Sequence, residues 1–184
     1  ALITTEDNNF FDHKGFDGKA MIRAFFTNLF SGRIVQGGST ITQQLVKVSL
    51  LTSKKSYLRK LKELMLSIKI ENIFTKEQII TLYLNNIYFG GGNYGIAQAS
   101  KNYFGKKVSQ LNPWQSIILA SIIKAPSTLS PERNNPKTLR RANFILKKMT
   151  QDGYFSKKQL QKINLDPQYK FQNLQHLYFA NYVF

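Results

Sequence analysis

The sequence predicts a mainly α domain, and three observations carry the prediction. Helix-capping residues recur ahead of apolar stretches, apolar residues return at helical spacing, and no run alternates apolar and polar residues long enough to argue for a sheet. Thr75-Lys76-Glu77-Gln78 and Ser156-Lys157-Lys158-Gln159 have capping-box chemistry, in which hydroxyl and amide satisfy two orphan backbone N–H groups. Asn112-Pro113 and Asn135-Pro136 each place a cap residue before proline at the first helical position.

In chain order these signals predict helices near 18–30, 39–51, 56–73, 76–88, 95–103, 113–124, 136–151 and 157–163. Leu61, Leu64, Met65 and Ile68 follow i, i+3, i+4, i+7 in the third, predicting an amphipathic helix. Ile79, Leu82, Tyr83 and Ile87 nearly repeat that pattern in the fourth. Residues 90–95 satisfy G-x-G-x-x-G, but no carboxylate follows between Glu77 and Glu132 to hold a ribose, so they read as a glycine-rich turn between helices. Beyond Asp166-Pro167 the pattern becomes polar and aromatic without a helical period. The division expected is therefore a domain over 1–165 and a tail or linker start over 166–184.

The 184 residues carry 26 Lys+Arg against 10 Asp+Glu, a formal charge of +16. With 42% hydrophobic and 13% aromatic residues, the chain can bury one core and is not a disordered polycation. A surplus of that size needs an anionic partner: nucleic acid, an anionic membrane surface or a phosphorylated substrate. The absence of cysteine excludes disulfides, thiolate nucleophiles and Cys-ligated zinc, and two histidines, at 13 and 176, leave little for a metal cage built by the protein. No apolar run approaches the 18 or so residues of a membrane span. The chain opens on a polar stretch and reads as an excised domain, so an anchor upstream would not be visible in it.

Ten carboxylates allow the acid and base candidates to be enumerated. Glu6, Asp7, Asp12 and Asp17 are interleaved with aromatics that can desolvate an acid toward a general base's range, although a solvated loop with a helix cap would look similar. Glu63 is the second candidate, or else one half of an i, i+4 pair with Arg59 on a helix surface. Between them, Gly37-Gly38-Ser39-Thr40 opens a helix whose N-terminus would receive an anion, and Gln43, Gln44 and Lys47 follow within two turns. Ser121-Ile122-Ile123-Lys124 matches the S-x-x-K of serine acyltransferases, but without partner motifs it reads as helix interior.

Four stretches stand in one order: Glu-Asp-x-x-Phe-x-x-His-x-Gly at 6–15, Gly-Gly-Ser-Thr-Ile-Thr-Gln-Gln at 37–44, Arg-Lys-x-x-Glu at 59–63 and Tyr-Leu-Asn-Asn-Ile-Tyr-Phe-Gly at 83–90. With Lys124-Ala125-Pro126-Ser127 and Arg141 in a fifth region, the chain resembles the peptidoglycan glycosyltransferase family, over about residues 1–163. That family comprises the polymerase module of class A penicillin-binding proteins and the monofunctional enzymes. The resemblance implies a lysozyme-like helical fold with a small membrane-associated lobe. It implies polymerisation of lipid II with inversion and release of undecaprenyl pyrophosphate, at the outer face of the bacterial cytoplasmic membrane. The tail resembles the start of a connection to a transpeptidase domain.

Carried over residue by residue, the resemblance makes Glu6 the general base with Asp7 and His13 in support, and Glu63 the second carboxylate on the donor side. Ser39, Thr40, Gln43 and Gln44 would line the cleft, while Lys47, Lys55, Arg59, Lys62 and Arg141 would meet substrate or pyrophosphate; Lys54 competes with Lys55 for that role. Phe25, Phe26, Leu29 and Phe30, flanked by Lys19, Arg23 and Arg33, would touch the membrane, unless their helix is a core helix. No cofactor is expected beyond Mg²⁺ or Mn²⁺ bound mainly by substrate pyrophosphate. The partners expected are lipid II, the growing glycan and the anionic membrane, not nucleic acid. A lysozyme-like hydrolase is the closest rival and a basic nucleic-acid-binding domain the more distant one.

Overall fold

The computed structural model describes residues 1–33, 35, 37–51, 56–131, 135–156, 159 and 163. The predicted helix over 157–163 lies mostly outside these residues, and the 166–184 tail lies wholly outside them. Among the described residues the chain is helical, and its only β pairing is an isolated bridge between Tyr88 and Tyr94. The elements divide between two compact units, one spanning Thr5–Asn86 and the other joining Ala1–Thr4 to the chain from Ile87 onward.

The first unit is built from α2 (Gly18–Ser31), α3 (Ile41–Leu50), α4 (Tyr57–Ile73) and α5 (Lys76–Asn86). A short helix that the sequence did not announce, α1 (Leu2–Glu6), leads into it. Each start is capped as its chemistry dictates. Asp17 accepts the Ala20 N–H at 2.9 Å, Ser56 accepts the Arg59 N–H at 3.0 Å, and Thr40 and Gln43 close a reciprocal box on α3. Thr75 and Gln78 do the same for α5, as the sequence predicted. α3 packs on both α4 and α5, burying Ile41, Leu45 and Val46 with Ile79 and Tyr83.

α4 departs from expectation. The apolar stripe of its amphipathic pattern is exposed at Leu61, Met65 and Ile68 and half-buried at Leu64, and the residues it buries are Glu63 and Ser67. The spacing is helical, but the face turned inward is the one that carries Glu63 and Ser67 rather than the apolar stripe. Gly15 permits a close approach to this helix: at φ +92°, a Cβ there would lie 2.8 Å from the Ser67 backbone.

The second unit contains α6 (Ile96–Phe104), a 3-10 turn (Val108–Gln110), α7 (Pro113–Ile122) and α8 (Pro136–Gln151). α7 is the central helix, buried from Trp114 to Ile122 except at Ser116, and α8 packs along it. Ser121 is fully buried and donates to the Ile118 carbonyl at 2.7 Å, but the S-x-x-K match is not helix interior as expected: it straddles the end of α7, with Lys124 exposed beyond Ile122. The glycine-rich stretch is indeed a turn between helices. Gly90 sits at φ +85° with the Pro126 carbonyl oxygen so close that a Cβ would come within 2.5 Å of it. Lys148 Nζ donates to the Thr4 carbonyl, tying the start of the chain to α8.

Candidate functional site

The residues singled out from the first three motifs belong to the Thr5–Asn86 unit. Glu6 ends α1, half-buried, and receives a neutral donor: Gln44 Nε2 donates to its Oε2 at 3.4 Å. Gln44 projects from α3, and its own carbonyl oxygen accepts the Tyr83 hydroxyl of α5 at 2.9 Å. Burial, and secondarily the charge of Glu6, push the Tyr83 phenol far above its ordinary range, so it remains a donor at any working pH.

Asp7, with its side chain 3% exposed, anchors the next layer. Both carboxylate oxygens lie 3.0 Å from His13 Nε2, and Oδ2 accepts the Ile41 N–H at 2.9 Å. Ile41 is the first residue of α3, so the negative charge sits at a helix N-terminus, where the macrodipole favours it. His13 Nδ1 faces Glu71 Oε1 at 3.8 Å, and Glu71 accepts Thr42 Oγ1 at 2.6 Å and pairs with Lys76 Nζ at 2.5 Å. Lys76 also donates to the His13 carbonyl at 2.6 Å. Asp7 and His13 therefore belong to a buried, hydrogen-bonded scaffold, and the solvated-loop alternative fails for Asp7. Asp17, another acid of this stretch, caps α2. The Ala20 N–H, assisted by Asn9 and by the charge of His13 against the opposing effect of burial, holds its carboxyl below the usual range.

Glu63 is in a different electrostatic setting. Its side chain is 3% exposed and its Oε1 pairs with Lys60 Nζ, at i, i+3, while Lys60 donates also to Ser39 Oγ at 2.9 Å. Lys60 is the residue that the sequence reading passed over, choosing Arg59 and Lys62 from the same motif. Arg59 lies four residues from Glu63, on the same helix face, and is partly buried. Lys62 is exposed and about 100° around the helix from Glu63.

Two expectations are corrected. Thr40 and Gln43 do not line an open cleft. They are buried, and the Thr40 hydroxyl accepts the Gln43 N–H while donating to the Gly15 carbonyl at 2.8 Å. The Gln43 side chain accepts the Thr40 N–H, and these capping bonds turn both residues inward. Ser39 and Gln44 are partly exposed and Lys47 is exposed. Lys54 and Lys55 lie outside the described residues. Arg141 belongs to the second unit, where its Nε donates to the Ser121 carbonyl at 3.1 Å and so braces α8 on α7.

α2 is not a core helix. Ala24 is its only buried residue, and Phe25, Phe26, Leu29 and Phe30 are exposed, the last by 84%. Phe26 contacts both aromatic neighbours, with Phe25 edge-on at 5.5 Å and Phe30 stacked at 6.4 Å between ring centroids. Glu71, Lys76 and Tyr83 are further site residues that the sequence reading gave no role. Tyr83 opens the fourth motif and was legible as a position, whereas the contact of Glu71 with Thr42 spans 29 residues and leaves no local spacing.

Comparison with known proteins identifies the family. The family model described as Transglycosylase matches residues 1–150. Penicillin-binding protein 1A of Aquifex aeolicus is 46% identical over 162 residues, covering 88% of this chain and 22% of its own length. Penicillin-binding protein 1F of Bacillus subtilis is 44% identical over 159 residues, covering 86% of this chain and 22% of the relative. A crystal structure of Penicillin-Binding Protein 1A from Haemophilus influenzae is similar over 69% of this chain and 16% of its own, at 26% identity and a TM-score of 0.47. The chain thus spans about a fifth of the length of the curated relatives it matches.

Proposed function

This chain belongs to the transglycosylase family, the glycosyltransferase module of class A penicillin-binding proteins, and from that membership we propose that it polymerises lipid II into β-1,4 glycan strands. The observation that carries the reading is the placement of Glu6 in the first unit. It is half-buried and accepts the Gln44 amide N–H, and Asp7 beside it is buried and fixed to His13 and to the first N–H of α3. A base must be both reachable by substrate and held in one orientation, and a partly exposed carboxylate next to a fixed scaffold is suited to that.

In the proposed reaction Glu6 accepts the proton of the acceptor 4-hydroxyl as its oxygen forms the bond to C1 of the donor sugar. The bond from C1 to the pyrophosphate oxygen breaks with inversion, and undecaprenyl pyrophosphate leaves with the electron pair. A pyrophosphate needs cationic stabilisation more than a strong acid. Lys60, oriented by Glu63 and Ser39, is the best-placed cation, with Arg59 and Lys47 as further candidates and Lys55 as an expectation from the sequence. Mg²⁺ or Mn²⁺, where used, would be held mainly by the substrate's own phosphates.

The exposed aromatic face of α2, with the exposed stripe of α4, supports seating on the outer leaflet of an anionic cytoplasmic membrane. The wider protein would add an anchor and a transpeptidase domain. Supplying the chain with lipid II in vesicles and sizing the product tests the proposal. Lengthening glycan is expected, and shortening of preformed glycan with no growth from lipid II would assign the site to a hydrolase instead.

A further inference from the structure

We propose that Tyr83 is a positioning residue for the general base: its hydroxyl holds the Gln44 side-chain amide so that the N–H end faces Glu6 throughout turnover. The inference rests on the reading of Glu6 as base and deepens it. Tyr83 Oη donates to Gln44 Oε1 at 2.9 Å, and Gln44 Nε2 donates to Glu6 Oε2 at 3.4 Å. The three residues come from α5, α3 and α1, and the tyrosine is fully buried.

A glutamine amide has almost the same shape with its oxygen and nitrogen exchanged, so its orientation is decided by its partners. While Glu6 is ionised, its charge alone favours the N–H end. Once Glu6 has taken a proton from the acceptor, that preference lapses, because a protonated carboxyl can donate to a carbonyl equally well. The Tyr83 hydroxyl occupies the carbonyl end in both states, and its elevated pKa keeps it a donor. A held amide restores the same carboxylate plane for the next cycle, whereas a turned one would present oxygen to oxygen when Glu6 loses its proton. The geometry also reassigns Gln44. With its carbonyl engaged by Tyr83 and its N–H by Glu6, it orients the base, and lining the cleft, as expected from the sequence, is not its main role.

Tyr83→Phe keeps the ring and removes the hydroxyl alone. With lipid II as substrate its kcat is expected to fall about tenfold, the scale of one lost hydrogen bond within a charged network, with KM within about twofold of the parent. Gln44→Met, similar in length but unable to donate, should fall by a similar factor, and the double variant should fall no further than the lower single. In the nuclear magnetic resonance spectrum, Glu6→Gln should shift the Gln44 side-chain NH₂ signals in the parent and much less in the Tyr83→Phe background.

A folded Tyr83→Phe chain with parental kcat, an additive double variant, or an NH₂ response indifferent to the hydroxyl would overturn the proposal. Should Tyr83→Phe not fold, Gln44→Met still decides, since a raised KM with unchanged kcat would make Gln44 a substrate contact and refute the relay. Unimpaired polymerisation by Glu6→Gln would instead remove the base assignment, and the NH₂ response would still report on the three-residue relay by itself.

Discussion

Replacing Asp7 tests how the first motif is fixed to the second. Asp7 is buried, and it meets His13 through both oxygens and the Ile41 N–H through one. Asp7→Ala leaves the Ile41 donor unsatisfied at the start of α3 and leaves His13 facing Glu71 alone. Breaking a buried pair costs about 3–5 kcal/mol, and the orphaned N–H, about 1–3 kcal/mol by itself, overlaps with that loss rather than adding to it. A total near 4 kcal/mol is a large fraction of a domain's usual 5–15 kcal/mol, roughly. At about 2–4 °C per kcal/mol for a chain of this size, the melting point should drop by about 8–16 °C. Asp7→Asn keeps an oxygen for Ile41 and loses only the charge, so about half that cost is expected. Urea unfolding followed by circular dichroism measures both variants. An alanine variant within about 0.5 kcal/mol of the parent, or an asparagine variant as damaged as alanine, would refute this account of the anchor.

Two other outcomes follow from the same structure. Phe26→Ser with Phe30→Ser should cut binding to anionic vesicles strongly in a sedimentation assay while changing the melting point little, because both rings are already exposed; the reverse ranking would make α2 a core element. The Asp17 cap should also leave a pH signature. Its carboxyl lies below the ordinary value of 3.8 in the folded chain, chiefly because it accepts the Ala20 N–H. Its stabilising contribution is therefore present above that ordinary value and lost as pH falls through the lower folded one. Asp17→Ala should cost about 1 kcal/mol at neutral pH, and the gap from the parent should close below about pH 4 in parallel unfolding titrations.

Helix positions were legible because caps and prolines act locally. Asn112, Asn135 and Thr75 each cap as their spacing dictates. Which face of a helix turns inward was less legible. The stripe of Leu61, Met65 and Ile68 follows helical spacing and is exposed, while Glu63 on the same helix is buried and paired with Lys60. Phe25 to Phe30 have a composition compatible with core or surface, and only tertiary structure decides between them. The motifs named Glu6, Asp7, His13 and Glu63 at once, yet they could not separate residues that meet the cleft from residues consumed by capping. Thr40 and Gln43 belong to the second kind. Glu71 and Lys76 complete the scaffold through contacts across dozens of residues, which no local pattern encodes.

The central claim is that Glu6 is the base of a lipid II polymerase, and one rate comparison tests it most directly. Glu6→Gln preserves the side chain's size and can still meet the Gln44 amide, so the fold should be retained by circular dichroism. Polymerisation should fall by about 10²–10⁴-fold, the range one positioned general base supplies. A well-folded Glu6→Gln chain that still polymerises lipid II at the parental rate would contradict the account.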